Sequence, residues 1–170
     1  MHPSQMDKTE FIALFGAAFE HSPWIARAVW DMGLTGRHDT ANGLHQSFQE
    51  VIFQSGREEK LALLRAHPQL AIGVVDNEQL TESSKREQLG AGLDRCSAEE
   101  FTEFQNLNHS YRKKFGFPFI MAVKGFDRHD ILESFQTRLA NTPDEEFQAA
   151  VEQVIRIGRF RIESILNKNR

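Results

Sequence analysis

Residues 142–166 read TPDEEFQAAVEQVIRIGRFRIESIL, and this stretch decides what kind of fold the chain can make. Thr142 is a cap, Pro143 occupies the first helical position, and Glu145 stands where a capping box needs an acid. Together they satisfy the N–H groups that a helix start leaves bare. Phe147, Val151, Val154, Ile155, Ile162 and Ile165 then recur at helical spacing. A helix running to about Leu166 therefore has an apolar face to bury.

The same signals recur on the N-terminal side of this helix. Asp127 can cap a helix that turns Ile131, Leu132, Phe135 and Leu139 inward, and Ser97 with Glu100 makes a box before Phe101, Phe104, Leu107, Tyr111 and Phe115. Leu61, Leu63 and Leu64 mark a helix that must stop near His67, because Pro68 disfavours helical geometry in the residue before it. Leu44, Phe48, Val51 and Ile52 mark another. Ser22-Pro23 opens one through Trp24, Ala28 and Trp30 that Gly33 ends, and Asp7 with Glu10 opens one that places Phe11, Leu14, Phe15 and Phe19 on one face. Only Phe117-Pro118-Phe119-Ile120-Met121-Ala122-Val123 reads as a strand candidate. Proline near its start and Lys124-Gly125 at its end make it an extended connection packed between helices. The fold class is all-α, a single-domain bundle of about eight helices over residues 1–170.

At 170 residues the chain fits one domain. It can bury about 70% of the surface its unfolded form exposes, so it needs no covalent staples. Fourteen Phe against one Tyr point to an aromatic-rich core rather than a wet aromatic surface. The net charge of −4, with both signs mixed, excludes the basic stripe of a nucleic-acid binder. A lone cysteine, Cys96, excludes an internal disulfide and a cysteine-based zinc site. No apolar run approaches the ~20 residues of a membrane span. With neither a secretory opening nor a C-terminal address, the expected location is the cytoplasm.

Three segments resist a purely structural reading. His67, about one turn after Leu63 and Leu64, falls on the buried edge of a helix end. There it can be a satisfied core histidine, a cap on the last carbonyls, or an imidazole that Pro68 aims into a pocket to hold or release a proton. In Ser83-Ser84-Lys85-Arg86-Glu87-Gln88-Leu89-Gly90-Ala91-Gly92, Ser84 and Glu87 share a helix face and could be a cap and its box glutamate. Against that, Ser83, Ser84, Gly90 and Ala91 beside Glu87 are small enough to admit a ligand, and glycines inside a helix each cost up to about 1 kcal/mol. The third segment is the last helix. Arg156 reads as solvated beside Glu152, whereas Arg161 has Val154, Ile157, Gly158 and Ile165 as neighbours. A guanidinium there must meet an acid, a carbonyl or an anionic ligand. His21, His38, His45, His109 and His129 are scattered, none forms an H-E-x-x-H pair, and Gly90-Ala91-Gly92 lacks the lysine and hydroxyl of a phosphate loop. Nothing calls for a metal.

Taken in order, Phe15-Gly16, Glu20-His21-Ser22-Pro23-Trp24, Ala66-His67-Pro68, SKREQLGAGLD at 84–94 and YRKKFGFPFIMAVKG at 111–125 resemble the 2-oxo-4-hydroxy-4-carboxy-5-ureidoimidazoline (OHCU) decarboxylases. The resemblance spans nearly the whole chain. It implies a helical-bundle enzyme of uric acid degradation that removes carbon dioxide from a small-molecule ureidoimidazoline to leave (S)-allantoin, without a cofactor. It implies His67 as the catalytic acid, Glu87 as its partner and Arg161 as part of the site. It further implies Pro68, Ser84, Gln88 and the stretch Phe119, Ile120, Met121, Ala122 and Val123 as substrate-binding, and it suggests a homodimer.

The chemistry suits these residue types. Electrons left by departing carbon dioxide can pass to a carbonyl of the substrate itself, so no external electron sink is needed. Backbone N–H groups of Phe119–Val123 could stabilise the developing oxyanion, Arg161 with Gln88 and Ser84 could hold the substrate, and His67 could deliver the proton. Glu87 could orient His67 and favour its protonated form, or crowd the substrate carboxylate. Two other readings stay open: a related lyase or hydrolase acting on another small heterocycle, and a non-enzymatic helical interaction module.

Overall fold

A computed structural model describes residues 2–71 and 80–168. Among the described residues there are eight α-helices and no strand: α1 (Lys8–Phe15), α2 (Pro23–Asp31), α3 (Ala41–Gln54), α4 (Arg57–Arg65), α5 (Glu82–Gly90), α6 (Ala98–Phe115), α7 (Arg128–Leu139) and α8 (Pro143–Lys168). None of them is long and apolar enough to cross a membrane.

The start signals act as the sequence implies. Asp7 accepts from Glu10 N at 2.9 Å while Glu10 accepts from Asp7 N at 3.1 Å. Ser97 and Glu100 repeat this exchange at 3.1 and 2.8 Å, and Thr142 with Glu145 at 3.4 and 2.8 Å. Ser22 differs: it precedes Pro23, but its hydroxyl donates to Glu20 O at 2.9 Å and caps nothing. The helix opened by Asp7 is also shorter than its apolar spacing implies. It stops at Phe15, and Phe19 is buried from the turn beyond. Gly116 ends α6 at φ +79°, a left-handed conformation that a side chain would oppose.

The chain forms two compact units, one made of residues 1–66 with 154–170, the other of residues 67–153. The first holds α1–α4 and the later turns of α8. Its core is aromatic: Phe11 packs on Phe15 and Trp30 at ring-centroid distances of 4.9 and 5.7 Å, and Phe19 stacks on Phe48 at 5.6 Å. Gly158 of α8 meets the Phe19 ring so closely that a Cβ there would lie 2.2 Å from Phe19 Cζ. His45 of α3 reaches the Ile155 carbonyl of α8 at 3.1 Å.

The second unit holds α5–α7 and the start of α8. Phe119 stacks on Phe135 with centroids 3.9 Å apart, and the single tyrosine, Tyr111, meets both rings edge-on. Residues 117–123 join neither a helix nor a sheet, and Phe117, Phe119, Ile120, Ala122 and Val123 are buried.

Candidate active site

α4 ends at Arg65 with Ala66 as its cap, and the chain then turns through His67 and Pro68. His67 is buried, with 6% of its surface exposed. The turn closes on Ala71, whose φ of +54° is costly for a residue with a Cβ. Side-chain amides hold that conformation in place. Gln88 Oε1 accepts from Ala71 N at 3.1 Å, and Gln88 Nε2 donates to Gln69 O at 3.1 Å. Gln105 Nε2 donates to Ala71 O at 3.0 Å, and Asn108 Nδ2 donates to Leu70 O at 2.9 Å. A buried turn has no helix or sheet to satisfy its backbone, so α5 and α6 supply the partners.

α5 is the element that makes this possible. Its buried residues are Ser84 and Gln88, while Leu89 is 54% exposed. A helix that buries polar side chains and exposes a leucine inverts the usual amphipathic pattern. Thr81 is the cap, accepting from Ser84 N at 3.3 Å. The alternative that Ser84 caps the helix and Glu87 closes its box is therefore corrected: Ser84 lies inside the first turn and faces inward. The glycines are corrected too. Gly90 is the last residue of α5, and Gly92 lies beyond it at φ +73°, so neither burdens a helix interior. Glu87 is half-buried, next to the buried Gln88 and one turn after the buried Ser84.

The Phe119–Val123 stretch is pinned at two points of the same unit. Arg138 of α7 donates through Nη1 to Ile120 O at 2.5 Å and lies over the Phe119 ring, 4.6 Å from its centroid. Gln153 of α8 accepts from Ala122 N at 2.9 Å, so that N–H is already spent on the protein. Arg138 is held in turn by Glu146, which is fully buried: Nε donates to Oε1 at 2.9 Å and Nη2 donates to the same oxygen. Tyr111 Oη also donates to Glu146 Oε1, and Asn141 Nδ2 donates to Oε2 at 2.8 Å. Burial, then the bond to the Glu146 carboxylate, pushes the Tyr111 phenol far above its ordinary range and keeps it a donor.

Arg161 belongs to the first unit. It is 6% exposed, and its Nη2 lies 3.1 Å from Glu20 Oε1, whose side chain is 1% exposed. An acid is therefore among the partners that Arg161 meets. Among the described residues no group of three or more His, Cys, Asp or Glu side chains could hold a metal ion.

Residues 4–163 match the family model of OHCU decarboxylase. The chain belongs to the OHCU decarboxylase family. A 2-oxo-4-hydroxy-4-carboxy-5-ureidoimidazoline decarboxylase of Halalkalicoccus jeotgali is 36% identical over 162 residues, covering 95% of this chain and 88% of the relative. A putative decarboxylase of the same name from Homo sapiens is 36% identical, with 96% and 92% covered. The crystal structure of an (S)-allantoin synthase matches with a TM-score of 0.75 at 27% identity, over 96% of this chain and 52% of that one. The helical fold seen here is thus that of the OHCU decarboxylase family.

Sequence reasoning misses Glu20 as a partner, and Gln105, Asn108, Arg138, Glu146 and Gln153 altogether, and it reads Tyr111 only as an apolar helix position. Arg138 reads as an ordinary cation in the last turn of a helix, and Glu146 as one more acid in the first turn of α8. The single tyrosine among fourteen phenylalanines was the available signal, because one hydroxyl in an apolar face must find an acceptor.

Proposed function

We propose that this chain is a carboxy-lyase that converts 2-oxo-4-hydroxy-4-carboxy-5-ureidoimidazoline to (S)-allantoin and carbon dioxide in urate degradation, without a cofactor. The observation that carries this is membership of the OHCU decarboxylase family across residues 4–163, with near-complete coverage of relatives that bear that name.

The reaction breaks the bond from the ring carbon to its carboxylate. The electron pair forms a double bond to the neighbouring ureido-bearing carbon and shifts that carbon's imine electrons onto nitrogen, in conjugation with the 2-oxo group. A proton then arrives on one face of the ureido-bearing carbon, and the hydroxyl left on the first carbon gives up its proton to become a carbonyl. In this proposal His67 supplies the proton, and Glu87 keeps the imidazole oriented and proton-bearing. Arg161, oriented by Glu20, holds an anionic or carbonyl group of the substrate, and Ser84 lines the same site with Pro68 beside the histidine. The Phe119–Val123 backbone faces the oxyanion through N–H groups other than that of Ala122. Gln88, with both ends of its amide on Gln69 and Ala71, sets the His67 turn as well as bordering the ligand. All of 1–170 acts as one catalytic domain, in the cytoplasm, as a homodimer.

The test is turnover of freshly generated urate-oxidation product, followed by the circular dichroism of (S)-allantoin. The wild-type chain should accelerate its appearance, and His67→Asn and Glu87→Gln should each lower kcat on the order of 10²-fold with the helical spectrum intact. A chain that leaves the decay of that product unchanged, or variants with full activity, would refute the assignment. A crystal soaked with a product-like ureide should place it against His67, Glu87 and Arg161 together.

A further inference from the structure

A buried backbone stretch with no helix or ladder of its own takes its shape from whatever side chains bond to it. For residues 119–123 those bonds come from Arg138 at the Ile120 carbonyl (2.5 Å) and Gln153 at the Ala122 N–H (2.9 Å). The two anchors stand two residues apart on the strip and come from different helices, α7 and α8. Between them they fix the direction of each peptide plane from Ile120 to Ala122. Arg138 can serve as an anchor because its own position is over-determined. Its Nε and Nη2 face Glu146, its plane covers the Phe119 ring, and Glu146 is itself fixed by Tyr111 and Asn141. Only a planar fork can give two nitrogens to a carboxylate and a third to a carbonyl at the same time.

We infer that Arg138 and Gln153 are positioning residues for the decarboxylation: they do not touch the substrate but set the 119–123 backbone that faces it. This rests on the site proposed above. An oxyanion donor works only where its N–H already points at the developing charge, and a misplacement of ~1 Å can cost on the order of 10²-fold in rate. Val29 of α2 is fully buried in the first unit and makes none of the bonds that hold residues 119–123. It therefore separates a positioning role from a merely structural one.

The experiment compares Arg138→Lys, Gln153→Met and Val29→Ala with the wild-type chain in kcat, KM and unfolding midpoint. Arg138→Lys keeps the charge opposite Glu146 but loses the fork, and Gln153→Met keeps the volume but loses the acceptor. Each should lower kcat by about 10-fold or more with a smaller change in KM. Val29→Ala should lower the unfolding midpoint and leave kcat within about twofold, as expected for a residue outside the positioning chain. If Arg138→Lys and Gln153→Met lower only the midpoint, or if Val29→Ala loses kcat as they do, the inference is overturned while the decarboxylase assignment stands. Should Arg138→Lys not fold, Gln153→Met alone decides, because Gln153 is only half-buried. A wild-type chain without turnover overturns both.

Discussion

Gly158→Ala offers a quantitative test of how α8 is seated in the first unit. A methyl group there would sit 2.2 Å from Phe19 Cζ and 2.5 Å from Cε1. Carbon atoms rest about 3.5–4.0 Å apart, so the ring must retreat by about 1.3 Å or more. Phe19 is 2% exposed and already stacked on Phe48, which leaves it little room to yield. Overpacking of this kind costs about 1–3 kcal/mol, while replacing a mid-helix glycine returns up to ~1 kcal/mol of helix propensity. Because Phe19 cannot yield, the upper part of that overpacking range applies, and the net loss is about 1–2 kcal/mol, or a Tm lower by roughly 2–8 °C for a chain of this size. Urea unfolding followed by circular dichroism should show a lower midpoint at an unchanged slope. Activity should fall as well. Gly158 is about one turn before Arg161, and Phe19 adjoins Glu20, so moving the ring disturbs the Glu20–Arg161 pair. A variant as stable as the wild type, or more so, would refute this account of Gly158.

Other perturbations have definite outcomes. Glu20→Gln removes a carboxylate that the buried Arg161 guanidinium faces, and should lower stability by about 3–5 kcal/mol in urea unfolding; a loss under ~1 kcal/mol would mean the pair is already solvated. Gln88→Glu replaces the amide N–H that donates to Gln69 O with an acceptor, and should cost about 1–3 kcal/mol and reduce turnover, whereas full activity at full stability would remove Gln88 from the His67 turn. Burial pushes the His45 pKa down against the opposing pull of the Ile155 carbonyl. The folded protein then binds fewer protons here than the unfolded chain, so this contribution is complete above pH ~6.5 and is lost as pH falls below it. Unfolding midpoints across pH 5–8 should show a shallower acid limb for His45→Gln than for wild type; identical limbs would refute the assignment.

Much of the helical framework was legible in the sequence because its punctuation is local. Asp7 with Glu10, Ser97 with Glu100 and Thr142 with Glu145 are contacts within a single turn, so residue type and spacing alone specify them. Where local signals misled, a longer-range demand had prevailed. Ser84 looks like a cap, yet Thr81 caps α5 because the helix must turn Ser84 and Gln88 inward. The segments around His67, Glu87 and Arg161 stood out for a related reason: each sets polar groups where the apolar period expects none.

The sequence by itself determined the all-α class, most of the helix starts, and which segments set polar groups against the apolar period. Only the tertiary structure decided that Gln88 grips the turn after His67, that Arg161 meets Glu20, that Gly158 makes room for Phe19, and that Glu146 and Arg138 hold the strip at Ile120. A cap finds its partner a few bonds away, so composition and spacing announce it. A buried amide, guanidinium or carboxylate must find its partner wherever packing brings one within about 3 Å, and nothing in the spacing of residues specifies that.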